Sequence, residues 1–169
     1  MNATTLRSAL ISLGLVATLL GVGWGVWSNE RIIADGRVVF LELAPVDPRS
    51  LMQGDYMTLN YGVANQLRGL KPREDGYVIV KVDAQQLGRY ARHVPALADT
   101  PLAADEVAIR YRVRGKQFKF ATNAFFFQEG HEPVFRGAKY GEFRVGDHGE
   151  PRLVALLDAQ FKRLGENRF

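Results

Sequence analysis

Residues 8–27 read SALISLGLVATLLGVGWGVW, twenty positions without a charge. No other stretch of the chain restricts its architecture as much. A helix of that length spans about 30 Å, the thickness of the hydrocarbon layer of a bilayer. Arg7 and the amino terminus precede it, and Trp24 and Trp27 close it, where aromatic rings favour the water interface. Asn29, Glu30 and Arg31 end the apolar run. A cleaved secretory signal has a shorter apolar region and a small-x-small site, and Gly25, Val26 and Trp27 before Ser28 do not supply one. A core helix would show a polar outer face, and this run has none. The expectation is a short cytoplasmic tail over residues 1–7, an uncleaved signal-anchor transmembrane helix over 8–27 and an extracytoplasmic domain over 28–169.

Lysine and arginine counts on the two sides of the run do not set the direction. Arg7 lies before it, and Arg31 and Arg37 soon after. A short tail followed by a long domain is the pattern of anchors whose downstream part is exported. Gly21 and Gly25 have the GxxxG spacing that lets a second membrane helix approach, although Gly14 and Gly23 show that glycine is common in this run.

The rest of the chain is ordinary folded protein in composition. Hydrophobic residues are 47% and charged residues 24%, enough for one modest core in 169 residues. The absence of cysteine excludes disulfides, thiolate metal sites and cysteine nucleophiles. The net charge of +4 comes from interspersed signs, without the clustered basic face of a nucleic-acid binder. No nucleic-acid partner is expected.

Period-two patterning dominates after residue 37. VVFLEL (38–43), DYMTLNY (55–61), YVIVKVD (77–83) and residues 89–94 read as strands. Val107, Ile109, Tyr111 and Val113 alternate with Ala108, Arg110, Arg112 and Arg114, and RGK turns the chain towards Phe118 and Phe120. Residues 139–145, GDHG and residues 152–157 make a second hairpin. Residues 64–70 and 158–164 are candidate short helices, and PALADTPLAAD (95–105) is a loop joining strands. The predicted fold class is mainly β, an N-terminal transmembrane helix followed by an antiparallel barrel or sandwich-like domain with short helices.

The densest chemistry lies in PVDPRSLMQGDYMTLNY, residues 45–61. Asp47-Pro48 initiates a turn, and Ser50 is placed to cap a short turn, SLMQG, ending at Gly54. Asp55 is placed to accept backbone N–H bonds as the chain enters a strand, and Arg49 to pair with Asp47 or Asp55. The strand would put Met57, Leu59 and Tyr61 on one face and Tyr56, Thr58 and Asn60 on the other.

GDYMTLNY matches GDYXXLXY at every fixed position, and the preceding DPRSLMQ resembles the lead-in of the bacterial GDYXXLXY family. YVIVKVD, DEVAIRYRVR, FFFQEG and YGEFRVGDHGEPRLVALL resemble later blocks of that family in the same order. The resemblance implies a short membrane-anchored bacterial protein, often accompanied by a polytopic membrane protein, and brings no activity with it. Taken with the anchor pattern, the expected location is the bacterial inner membrane, with the C-terminal domain facing the periplasm or exterior. The motif residues then expected to bind or to build structure are Asp47, Arg49, Gly54, Asp55, Tyr56, Leu59 and Tyr61, together with Glu129.

Other readings have less behind them. SLMQGD is similar to the stretch after the nucleophile in type I signal peptidases, but the serine would fall at Val46 and no lysine precedes Lys71. Lys81, on a strand, is expected to face solvent. Glu129, His131 and Glu132 lack a converging metal-ligand spacing, with His93 and His148 far along the chain. Consecutive Phe125, Phe126 and Phe127 suggest core plus one exposed ring. Arg110, Arg112 and Arg114 form either a solvated face or a patch for anionic headgroups or an acidic partner. No catalytic residues, metal or cofactor are assigned. The expectation is a non-catalytic accessory or partner-binding protein, in contact with the bilayer and a polytopic membrane protein. The alternatives are a membrane-anchored hydrolase using Asp47, Ser50, Asp55 or Glu129, and a module binding lipid or a small ligand.

Overall fold

The computed structural model describes residues 3–44, 52–53, 56–70, 74–98, 100–114, 117–120, 122, 124–127 and 131–166. Helix α1 runs Ala3–Asp35 without a break, past the apolar run and for two more turns. Its segment Leu10–Asp35 is long and apolar enough to cross a membrane, and its most apolar window is not buried against the rest of the protein. Trp24 and Trp27 pair their rings at 5.2 Å, and the Arg31 guanidinium lies over Trp27. Beyond them the helix docks. The Asn29 side-chain oxygen accepts a hydrogen bond from Arg152 Nε, and Ile32 packs on Gly146. The Gly36 N–H closes the helix on the Ile32 carbonyl at 2.9 Å.

Among the described residues eleven strands follow: β1 Arg37–Glu42, β2 Met52–Gln53, β3 Tyr56–Thr58, β4 Gly76–Val82, β5 Gly88–Val94, β6 Glu106–Arg114, β7 Gln117–Phe120, β8 Ala124–Phe126, β9 Tyr140–Val145, β10 Pro151–Leu157 and β11 Arg163–Glu166. Two short helices interrupt them, α2 Gly62–Leu70 and α3 Glu132–Phe135. One four-stranded sheet has the order β1-β9-β10-β11, and a second has β5-β4-β6-β7. A small sheet, β2-β3-β8, carries the motif strand. Every pairing between these strands is antiparallel. The fold is mainly β, as the alternation predicts. Among the described residues the sheets stay open and sandwich-like, and no barrel closes.

Alternation decides which faces meet. Val39, Leu41, Phe143, Val145 and Leu153 of the first sheet pack against Val78, Val80, Val107, Ile109 and Phe120 of the second in one buried cluster. Each such side chain contributes about 1.5–3 kcal/mol through burial. Gly88 lets β5 lie close on β1, since a Cβ there would stand 2.7 Å from Val39 Cγ1. Backbone bonds from Phe40 to Gln86 and from Arg110 to Gly149, both 2.8 Å, tie the sheets at their margins.

The two large sheets share a turn. Asp83 accepts at Oδ1 from the N–H groups of Gln85 and Leu87, and Asp158 does the same for Gln160 and Lys162. The residue three after each aspartate takes a left-handed conformation, Gln86 at φ 65° and Phe161 at φ 60°. The local sequences are DAQQL and DAQFK. The short aspartate side chain satisfies donors that the reversal leaves open. The second turn corrects the helix expected over 158–164, where Asp158 reverses the chain and β11 begins at Arg163. Met52 and Gln53 likewise form a strand against Met57 and Tyr56, where the sequence reading placed a capped turn.

Candidate functional site

The motif strand sits where the sheets converge. Along residues 56–61 burial alternates without exception: Met57, Leu59 and Tyr61 are buried, Tyr56, Thr58 and Asn60 half-exposed. Tyr61 is the hub. Its ring meets Phe143 of β9 at 5.3 Å and Phe120 of β7 at 6.1 Å, both edge-on, so it touches both large sheets. Its hydroxyl donates to the Thr122 carbonyl at 2.8 Å, which satisfies the polar atom that this side chain carries into the core. Burial pushes this phenol well above the ordinary tyrosine range. Its backbone bridges Leu43 after β1, and its carbonyl accepts from Ala64 as α2 begins. Helix α2 then buries Val63, Ala64 and Leu67.

The other face of the motif strand leads to the surface. β3 pairs with β8, bringing Tyr56 opposite Phe126 with ring centroids 5.9 Å apart. Of the three consecutive phenylalanines, Phe125 is fully buried, Phe127 half-buried and Phe126 66% exposed. Phe125 and Phe127 pack on Phe135 of α3, and the Phe135 ring lies against Gly165 of β11. An open, mostly apolar groove of about 610 Å³ results, lined by Phe125, Phe126, Phe127, Val134, Phe135 and Leu164 among others. His131 and Glu166 supply polar groups at this groove.

Sequence and structure meet unevenly here. Tyr56, Leu59 and Tyr61 occupy the positions that alternation assigns. Asp47, Arg49, Ser50, Gly54, Asp55 and Glu129 lie outside the described residues, as does Val46. Lys81 is exposed and 3.9 Å from Asp105, as expected of a solvent-facing strand lysine. Among the described residues no group of three His, Asp or Glu side chains converges as a metal site. Arg110, Arg112 and Arg114 are all exposed on one face of β6.

Two buried carboxylates escape the sequence reading. Glu106 of β6 and Glu142 of β9 are 7% and 3% exposed. Arg92 of β5 binds both oxygens of Glu106, and Arg163 of β11 binds both oxygens of Glu142 at 2.7 and 2.8 Å. In each sheet the arginine comes from an edge strand and reaches across the middle strand. Glu106 also accepts from the Ala103 N–H, and Arg37 holds the carbonyls of Ala104 and Glu106. The Arg92 guanidinium first, then the Ala103 amide, holds the Glu106 carboxyl below its ordinary range. That carboxylate is an acceptor in a closed bidentate pair, a structural clasp without a free proton to transfer.

The GDYXXLXY protein family model matches residues 18–156, most of the chain. The chain belongs to the GDYXXLXY family. The match takes in the second half of the membrane-length helix, the motif hub, the Glu106–Arg92 clasp and Glu142. It ends within β10, so Arg163 lies beyond it. No curated protein and no solved structure gives a significant match.

Proposed function

We propose that this GDYXXLXY protein is a non-catalytic accessory subunit, anchored by α1 in the bacterial inner membrane with its β domain outside the cytoplasm. Its partner is a polytopic membrane protein. The observation behind this reading is the division of the motif strand. Its inward half joins the sheets, and its outward half sets Tyr56 against Phe126 of β8, which lines an exposed aromatic groove. An exposed apolar, aromatic groove with polar groups beside it, here His131 and Glu166, is the anatomy of a protein contact. α1 adds a second contact surface, since Gly14, Thr18, Gly21 and Gly25 follow one another at spacings of three and four along one side of the helix.

The test is co-purification of the full chain after mild detergent solubilisation. The expected result is stoichiometric recovery of one polytopic membrane protein that is lost with Phe126→Ser. Recovery of the chain alone in repeated preparations contradicts the reading. A hydrolase would instead lose activity on substitution of Asp47, Ser50, Asp55 or Glu129 at unchanged thermal stability.

A further inference from the structure

The outer face of the second large sheet is covered over only part of its area. Ile79 and Ala108 point away from the core yet are buried, on the side where segment 95–105 is pinned by Arg37, Arg92 and Glu106. Further along β6 the cover ends. Arg110, Arg112 and Arg114 are exposed there, and Lys119 of β7 stands directly opposite Arg112. Like charges facing each other across a ladder destabilise a sheet. Arg114 has Asp75 at 3.3 Å. Arg110, Arg112 and Lys119 have no ion-pair partner among the described residues. The field is felt at Asp75, whose carboxyl is held low first by the Val113 N–H and then by all three arginines.

One end of the stripe is linked to the base of α1 through the turn at residues 146–149. Ile32, five residues past Trp27, packs on Gly146 of the turn that ends at Gly149. The Gly149 carbonyl accepts the Arg110 N–H at 2.8 Å. Five residues of helix rise about 7.5 Å, comparable with the headgroup layer outside the hydrocarbon. Arg110 is therefore joined to the membrane exit of α1 by a chain of two contacts. We propose that Arg110, Arg112 and Lys119 bind the phosphate headgroups of anionic lipid in the leaflet from which α1 emerges. The bilayer supplies negative charge beyond that of Asp75, which pairs with Arg114, and α1 keeps the domain at the bilayer surface. Each cation brought to such a surface strengthens docking by about fivefold.

The test uses the full chain in nanodiscs of phosphatidylcholine alone or with a third phosphatidylglycerol, read by hydrogen–deuterium exchange over residues 106–120. The expected result is exchange at least fivefold slower in the anionic discs. The difference should vanish in the triple variant Arg110→Gln, Arg112→Gln, Lys119→Gln, with exchange in neutral discs unchanged. Arg112→Gln alone should lose part of it, which keeps the test open if the triple variant folds poorly. Equal exchange of the wild-type chain in both discs overturns the proposal, as does composition-dependent protection that survives in the triple variant. Equal exchange in both discs with protection by added polyglutamate would assign the stripe to an acidic protein instead.

Discussion

The two large sheets are built alike and finished differently. Each has the same aspartate turn, at Asp83 and at Asp158, and each has a buried glutamate clasped by an arginine from its edge strand. In the β1-β9-β10-β11 sheet the outer face is closed by the base of α1 and by Phe161, stacked on Tyr140 at 4.7 Å and on Phe40 at 5.6 Å. In the other sheet, segment 95–105 covers one end and leaves the arginine stripe bare. Shared turns and clasps are therefore devices of stability. The features that differ, the base of α1 on one outer face and an exposed arginine stripe on the other, are where the surroundings of this protein leave their mark.

Tyr61 lies between the sheets, and its loss should damage both. Tyr61→Ala is expected to cost about 3–5 kcal/mol through the cavity it leaves, seen as a large fall in melting temperature by circular dichroism in detergent. Tyr61→Phe removes only the bond to Thr122 and should cost about 1 kcal/mol. The same pair reads out pH. A phenol raised by burial contributes stability that is complete below the ordinary value of 10.0 and is lost as pH rises. The wild-type chain should lose stability at alkaline pH, and Tyr61→Phe should lose less. A variant Tyr61→Ala that melts like the wild type would remove the hub from the account.

The clasps give the next largest effects and separate the sheets. Glu142→Gln should cost about 2 kcal/mol, since a bidentate charged pair is replaced by a neutral one. Glu106→Gln should free segment 95–105, so that limited proteolysis cuts there first while the rest of the domain stays resistant. Acid should mimic it. The depressed Glu106 carboxyl contributes stability above its ordinary value of 4.5, and that stability disappears as pH falls through the lower folded value. Unchanged cleavage of 95–105 in Glu106→Gln would show that the segment is held by something else.

The turns give the smallest structural effect, and one of them has the opposite sign. Gln86→Gly should stabilise by up to about 1 kcal/mol, because glycine enters the left-handed region without a Cβ penalty. Phe161→Gly at the matching position should destabilise, since it removes the ring stacked on Tyr140 and Phe40. Equal shifts from the two substitutions would mean that the outer faces of the sheets do not differ as described.

Local patterning made the strands and the burial of Met57, Leu59 and Tyr61 legible, because a period of two needs only neighbouring residues. What pairs with what was not legible. Tyr61 finds the Thr122 carbonyl across 61 positions, and Glu142 finds Arg163 across 21. Glu142 sits in YGEFRV on the outer side of its strand, where a carboxylate reads as solvated until α1 and the Asp158 turn cover that face. The helix expected over 158–164 failed because a five-residue aspartate turn carries the polar and apolar mix of a short helix. DAQQL at 83–87, between the strands expected over 77–83 and 89–94, held the cue. Phe126 was foreseen as one of three phenylalanines, but which one stands out depended on the register of β8 against β3.

The proposed division is that Tyr61 of the motif strand folds the domain, while Phe126, backed by Tyr56, meets a partner. Its most direct test is Phe126→Ser in the full chain, with melting temperature and partner capture measured on the same detergent-solubilised preparation. The expected result is a melting temperature within about 2 °C of wild type, as for a surface change, and loss of the captured membrane protein. Undiminished capture, or capture lost only in step with a large fall in melting temperature, would contradict it.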